Sequence, residues 1–294
     1  MKLSYLYTTL IIIFSLVTFF SINHGPARQK QHNDLIEEKE IRLSNLRQLT
    51  FSGENAEAYF SKDGDRLIFQ GHDGDSLCDQ IYIMNIKTGS INMVSTGDGV
   101  TTCSYFVYPD CKKAIYASTH MGNKKCPEKP DYSRGYVWKL YPDYDIFLTD
   151  LQTGLLERLT SSPGYDAEAT VAFNGSKIIY TSMVSGDLDI WTMDSDGSNK
   201  KQITNNGAAN FGPYFFPSGD KIIFSSNLHD PKGRDFDLYS INIDGSGFER
   251  ITFFNGFDGF PMFSPNGKHI VFASNRNQKK KGDTNLFLAE WNYK

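Results

Sequence analysis

The stretch "FDGFPMFSPNGKHIVFASNRN", residues 257–277, decides the fold. It holds an apolar strand, an Asn-Gly turn and a second strand rich in Ile, Val and aromatics, the pattern of a tight β-hairpin. Four earlier stretches repeat it: "AYFSKDGDRLIFQ", "SYFVYPDCKKAIYAS", "ATVAFNGSKIIYTS" and "PYFFPSGDKIIFSS". A third apolar segment follows each hairpin, as in "DQIYIMN", "YDIFLTD", "LDIWTMD", "FDLYSIN" and "TNLFLAE". A Gly-containing turn and a fourth strand ending in "RLT", "QIT" or "RIT" complete the unit. Four strands at a period of about 45 residues is the spacing of propeller blades.

The two ends of this pattern are complementary. "IRLSNLRQLT" (Ile41–Thr50) is a fourth strand standing before the first hairpin, and the last unit stops after its third strand at "LFLAEWNYK". The pattern therefore predicts an all-β propeller of five four-stranded blades over residues 41–294, closed by an N-terminal strand that completes the last blade. Such closure removes two sheet edges that would otherwise recruit other strands.

The units "MDSDGSNKKQIT" and "FSPNGKHIVFASNRN" resemble the WD40-like (PD40) repeat of TolB-like β-propellers, and the resemblance covers residues 41–294. "LRQLTFSGENAEAYFS", "GYDAEAT", "GRDFDLYSINIDG" and "GFDGFPMFSPNGK" are similar to one bacterial branch of that superfamily. Members usually have six blades, and relative to that branch a blade is missing between Asn206 and Gly207. The superfamily includes a periplasmic partner-binding protein, domains that gate serine peptidases, and a few lyases, so the resemblance implies a fold more than an activity.

Composition narrows the partners. A net charge of −4 and a pI near 5.9 argue against nucleic acid, which needs a basic face. After Lys2, "LSYLYTTLIIIFSLVTFF" runs uncharged to Phe20. Residues 1–22 are therefore read as a signal peptide or a membrane-anchor helix, with residues 23–40 as a polar tether. No A-x-A-like site follows, and the flanking charges do not orient the segment.

Aligned innermost strands place Asn55, Thr102, Asp166, Asn210 and Asp258 in one polar column at the strand entrances. The next column is Glu57, Ser104, Glu168, Gly212 and Phe260, and the third is Tyr59, Phe106, Thr170, Tyr214 and Met262. The polar column has two readings, satisfaction of backbone amides between blades or a ligand-binding mouth. Glu57 and Glu168 break the symmetry of their column, and carboxylates near a core need partners.

Loops on the same face carry His120, His229 and Arg276, besides His72 and Asp73. Three histidines at similar blade positions match metal-ligand chemistry, but surface histidines are the simpler account, and neither a metal nor a cofactor is assigned. The insertion at residues 121–143 offers Tyr132, Arg134, Tyr136 and Trp138 as a lid, or as a cover over a blade edge. Cys78, Cys103 and Cys126 lie near this face; Cys78–Cys103 is the expected disulfide, with Cys103–Cys126 as its competitor. No P-loop, G-x-S-x-G or H-E-x-x-H occurs. The sequence points to a monomeric, non-enzymatic envelope propeller that binds a protein or peptide at its entrance face. The alternatives are a saccharide-acting lyase or hydrolase with a carboxylate- and His-lined mouth, and a membrane-tethered sensor domain.

Overall fold

A computed structural model describes residues 35–51, 57–71, 78–85, 87–128 and 139–293. The signal or anchor segment, Asn55, His72 and the lid residues Tyr132, Arg134, Tyr136 and Trp138 lie outside the described residues. Among those described, no helix is long and apolar enough to cross a membrane.

Among the described residues the first strand is β1 (Leu43–Gln48), followed by antiparallel four-stranded sheets. Blade 1 is β2 (Ala58–Phe60), β3 (Arg66–Gly71), β4 (Gln80–Asn85) and β5 (Ile91–Met93). Blade 2 is β6 (Thr101–Phe106), β7 (Lys113–Ser118), β8 (Asp145–Asp150) and β9 (Leu156–Arg158). Blade 3 is β10 (Asp166–Val171), β11 (Lys177–Ser182), β12 (Asp189–Asp194) and β13 (Lys201–Gln202). Blade 4 is β14 (Asn210–Phe215), β15 (Lys221–Ser226), β16 (Asp237–Asn242) and β17 (Glu249–Arg250). Blade 5 is β18 (Asp258–Phe263), β19 (His269–Ser274) and β20 (Asn285–Trp291), with β1 as its outermost strand. The five-bladed ring and its borrowed strand agree with the repeat pattern.

Closure is an antiparallel ladder with one register shift, between Ser44 and Arg47. Leu43 faces Trp291 and Gln48 faces Phe287. At the two ends, Asn292 N donates to Arg42 O at 2.8 Å and Leu49 N to Leu286 O at 2.7 Å. The Thr that ends "RLT", "QIT" and "RIT" explains why this short motif recurs. Thr160, Thr204 and Thr252 each accept an amide from the third strand: Ile146 N at 2.9 Å, Ile190 N at 2.8 Å and Leu238 N at 2.9 Å. Each hydroxyl also donates to the carboxylate that opens that strand, Asp145, Asp189 or Asp237. Thr50 does the same across the closure, accepting Leu286 N at 2.9 Å and donating to Asn285 Oδ1 at 3.2 Å. A latch used inside the other blades thus joins the two ends of the chain.

The reading of residues 23–40 as a tether is corrected at its end. Glu40 is buried and holds the Arg276 guanidinium, with Nη2–Oε1 at 3.0 Å and Nη1–Oε2 at 3.2 Å, and Leu35 O accepts from the same group at 2.8 Å. Leu35 and Ile36 pack against the core. A 236-residue separation hides this pairing from any local reading of the sequence.

Replacing Thr50 by Val leaves the Leu286 amide without its acceptor and is expected to cost ~1–3 kcal/mol, as Thr204→Val should at Ile190. Equilibrium urea unfolding of both variants checks this. A Thr50→Val midpoint matching wild type would show that the closure strand is not latched.

Candidate functional site

Four of the five innermost strands bend at the same place. Pairing in β6, β10, β14 and β18 slips between Thr102 and Tyr105, Ala167 and Thr170, Phe211 and Tyr214, and Gly259 and Met262. The residue at each bulge is left-handed: Cys103 (φ 53°), Glu168 (58°), Gly212 (59°) and Phe260 (52°), with Glu57 (61°) in the same conformation just before β2. A bulge re-aims its side chain away from the sheet's ordinary alternation. Here it brings Glu57, Cys103, Glu168 and Phe260 to one axial cavity of about 10 Å³, room for a single water-sized group. A non-Gly residue in this region is unfavourable by ~1–2 kcal/mol, and such strain gathers at functional sites.

This geometry corrects one register. The first residue of each inner strand binds the preceding blade through its amide: Thr101 to Asp79 O, Asp166 to Tyr144 O, Asn210 to Leu188 O and Asp258 to Phe236 O. Thr101, not Thr102, is therefore the equivalent of Asp166, and Cys103, not Ser104, shares the column of Glu57 and Glu168. The cause is local: the turn of blade 2 spans residues 107–112, one residue longer than the 172–176 and 216–220 turns. Thr102 instead donates to Gln70 Oε1 at 2.8 Å, which also takes the Cys103 amide at 3.1 Å and ties blades 1 and 2.

The two carboxylates are held differently. Glu168 accepts from Thr181 Oγ1 at 2.6 Å, the Gly212 amide at 2.7 Å and Tyr165 OH at 3.2 Å. Burial raises its pKa, and these donors oppose the rise. Burial and the nearby Glu168 charge push Glu57 up to about 7, while a hydrogen bond with the Cys103 thiol lowers it. Burial also raises the thiol of Cys103, with both glutamates adding to the effect. Beneath them Tyr105 and Tyr214 join hydroxyls at 2.8 Å, and Tyr59 meets Tyr105 edge-on at 5.3 Å.

Beside the cavity lies a cluster that the sequence columns missed. Phe211 contacts Phe236 at 5.2 Å, Phe260 at 5.5 Å and Phe257 at 6.4 Å between ring centroids. All four are partly exposed at the entrance ends of β14, β16 and β18, and Phe260 also lines the cavity. Phenylalanine at both 257 and 260, flanking an inner-strand entrance, was the legible signal.

The remaining candidates are engaged in the fold. Asp166 accepts from Ser162 at 2.8 Å, and Asn210 Oδ1 from Ser226 at 2.8 Å while its amide reaches Asn206 at 2.9 Å. Arg276 is 2% exposed, bonded to Asp258 Oδ2 at 2.7 Å and enclosed by Phe254, Phe272 and Phe287. His120 stacks on Phe147 at 4.3 Å and its Nδ1 meets Ser118 Oγ at 2.8 Å. His229 stands apart, with Nε2 2.9 Å from Asp235 and Nδ1 3.3 Å from Asp237. These three are the group of possible metal ligands found among the described residues, but the Arg250 guanidinium already pairs with Asp237. The expected Cys78–Cys103 disulfide is corrected too: Cys78 bonds Cys126. Both are loop residues, whereas the bulge turns Cys103 to the axis, 3.1 Å from Thr102 Oγ1.

Comparison with known proteins places this geometry. The family described as the TolB beta propeller domain matches residues 130–281, over half of the chain. The chain belongs to that family. An uncharacterized protein of Agrobacterium fabrum, Atu1656, is 32% identical over 83 residues, which is 28% of this chain and 28% of that protein. The solved structure of an Agrobacterium tumefaciens protein described as a TolB aligns with a TM-score of 0.55 at 18% identity, over 83% of this chain and 78% of that one. TolB from Acinetobacter baumannii gives a TM-score of 0.56 at 20% identity, over 80% of this chain and 54% of that one. At these identities the structural likeness establishes the fold.

In this TolB-family propeller the raised Glu57 pKa has a definite sign. A carboxyl near 7 when folded and 4.5 when unfolded contributes stability that is complete below pH ~4.5 and lost as pH rises through 7. Asp237, raised to about 7 chiefly by burial, acts in the same direction. Glu57→Gln is expected to flatten, without abolishing, the fall in melting temperature between pH 5 and pH 8. Parallel melting curves for the two proteins would contradict it.

Proposed function

We propose that this chain is an exported, non-enzymatic propeller of the cell envelope that binds a protein or peptide at its entrance face. The observation that carries this reading is the half-exposed cluster of Phe211, Phe236, Phe257 and Phe260 beside the axial cavity. Rigidly held aromatics at a desolvated centre are the residues that dominate protein recognition. Loops on the same face add exposed Met121 and Val184, and Phe51 lies on the approach to blade 1.

The apolar run ending at Phe20 supports export. A Cys78–Cys126 disulfide fits an oxidising compartment. Whether residues 1–22 are cleaved or retained as an anchor does not alter the binding face. An enzymatic reading needs a histidine within reach of Glu57 or Glu168 for acid–base work, and the described residues lining the cavity include none.

Affinity capture from envelope extracts tests the proposal. Phe211→Ser with Phe257→Ser should weaken capture of a specific partner by about thirtyfold, the loss of one ~2 kcal/mol anchor. Capture unchanged by that double substitution, or turnover of saccharides by the wild-type protein, would count against it.

A further inference from the structure

We propose that the axial cavity receives a primary ammonium group of the bound peptide, either a lysine side chain or a free N-terminal amine. This deepens the binding reading above and rests on it.

Charge points to a cation. Glu57 and Glu168 come from different blades to one cavity, and no Lys or Arg is among its described lining residues. Glu168 is fixed by its three donors, so its orientation does not depend on an occupant. Among the described residues Glu57 has no such cradle, and its hydrogen bond to the Cys103 thiol adds no positive charge.

A second observation is independent of the carboxylates. Ser104 is 3% exposed, lines the same cavity, and its Oγ has no hydrogen-bond partner. A buried hydroxyl left unpaired costs ~1–3 kcal/mol. Its equivalents beside the other bulges are Ala169, Pro213 and Pro261, which also line the cavity, so it is the polar exception in this set. An ammonium carries three donors, and two carboxylates and one hydroxyl are matching acceptors.

Size and wall chemistry select among cations. The void of about 10 Å³ accepts a group the size of water, which fits an ammonium head and not a planar guanidinium. Tyr59 and Tyr214 line it, and the Tyr214 hydroxyl is paired with that of Tyr105. Gly212 lines one wall, where an added Cβ would crowd the Phe260 ring at 3.1 Å. The Phe260 wall suits an alkyl stem and the face of a cation. A metal ion is less well served. His229, Asp235 and Asp237 form the group of ligand atoms that converges within 4.8 Å among the described residues, and it does not include Glu57, Cys103 or Glu168.

Occupancy has a proton signature. Glu57 interacts with Glu168, Cys103, Tyr59 and Tyr144, and Tyr214 lines the same cavity; none is cationic, and a bound ammonium would draw the Glu57 carboxyl down from about 7 and release a proton.

The test is titration calorimetry on the full-length protein in mild detergent at pH 8, with Nα-acetyl-lysine amide and with alanine amide as probes. These separate the side-chain and N-terminal sources, and Nα,Nε-diacetyl-lysine amide is the uncharged control. At least one charged probe should bind, the control should not, and Glu57→Gln should weaken binding by about tenfold or more, the loss of one charge-assisted contact. Ser104→Ala, which removes no charge and leaves no unpaired group, should weaken it a few-fold and guards against a misfolded Glu57→Gln. At pH 7, the heat should depend on the buffer's ionisation enthalpy as protons are released. Equal affinity for the uncharged control, no binding of either charged probe, or a calcium or manganese ion bound in their place would overturn the ammonium assignment. If partner capture still depends on Phe211 and Phe257 in that case, the entrance-face reading stands and only the axial receptor falls.

Discussion

The pairing of β1 with β20 is the interaction on which the molecule depends. Blade 5 has three strands of its own in sequence, and the fourth comes from the start of the propeller, with paired residues from 239 (Gln48–Phe287) to 248 (Leu43–Trp291) positions apart. Until that ladder forms, β20 has an open edge. The contact order is high, so the closing step carries a large loop entropy that local blade folding cannot offset. Two further contacts reinforce it. Thr50 latches onto Asn285 and Leu286, and Glu40 meets Arg276 inside an aromatic box. The ion cluster is the more demanding of the two. Arg276 lies between Glu40 and Asp258, all three buried, so deleting the arginine would strand two carboxylates away from water.

Closure also creates the site. The cavity has no single owner: blades 1 to 5 each contribute the residue at or next to an inner-strand bulge. Repetition supplies five equivalent left-handed positions, and the chemistry depends on which side chain fills each. Here they hold two carboxylates, a thiol, a glycine and a phenylalanine. One half of the axis is thereby acidic and the other aromatic, and the phenylalanine cluster continues that aromatic half to the surface. Neither half is a property of a blade alone.

The fold was legible because its signals are local and repeated. Gly-containing turns mark most of the hairpins, and a terminal Thr in the fourth strands of blades 2 to 4 marks a latch whose partner lies about fourteen residues back along the chain, a spacing set by the four-stranded blade. The site was legible only in part. Glu57 and Glu168 stood out as breaks in symmetry, and they do share the cavity. Cys103 did not, because one extra residue in the turn of blade 2 shifted the alignment, and a shift of one exchanges the two faces of a strand. Arg276 was read as a loop cation open to ligand, whereas its partners Glu40 and Leu35 are more than 230 residues away and leave no periodic trace. The disulfide misled for a related reason: proximity along an entrance face was visible, but the bulge that turns Cys103 inward was not.

The bulge positions set a limit on how such a site can vary. Four of the five hold residues other than glycine in a left-handed conformation, each unfavourable by ~1–2 kcal/mol. Together that is a substantial fraction of the ~5–15 kcal/mol that separates a folded domain from its unfolded chain. Glycine at every bulge would relieve the strain but present no side chain to the axis. The chain keeps glycine at position 212 alone, where an added Cβ would crowd Phe260. The strained arrangement persists because neighbouring blades clamp it: Gln70 holds the Cys103 amide, Glu168 the Gly212 amide and Ser225 the Phe260 amide. Each clamp joins consecutive blades, 1 to 2, 3 to 4 and 4 to 5, so packing between neighbours holds in place the strained side chains that give the axis its chemistry.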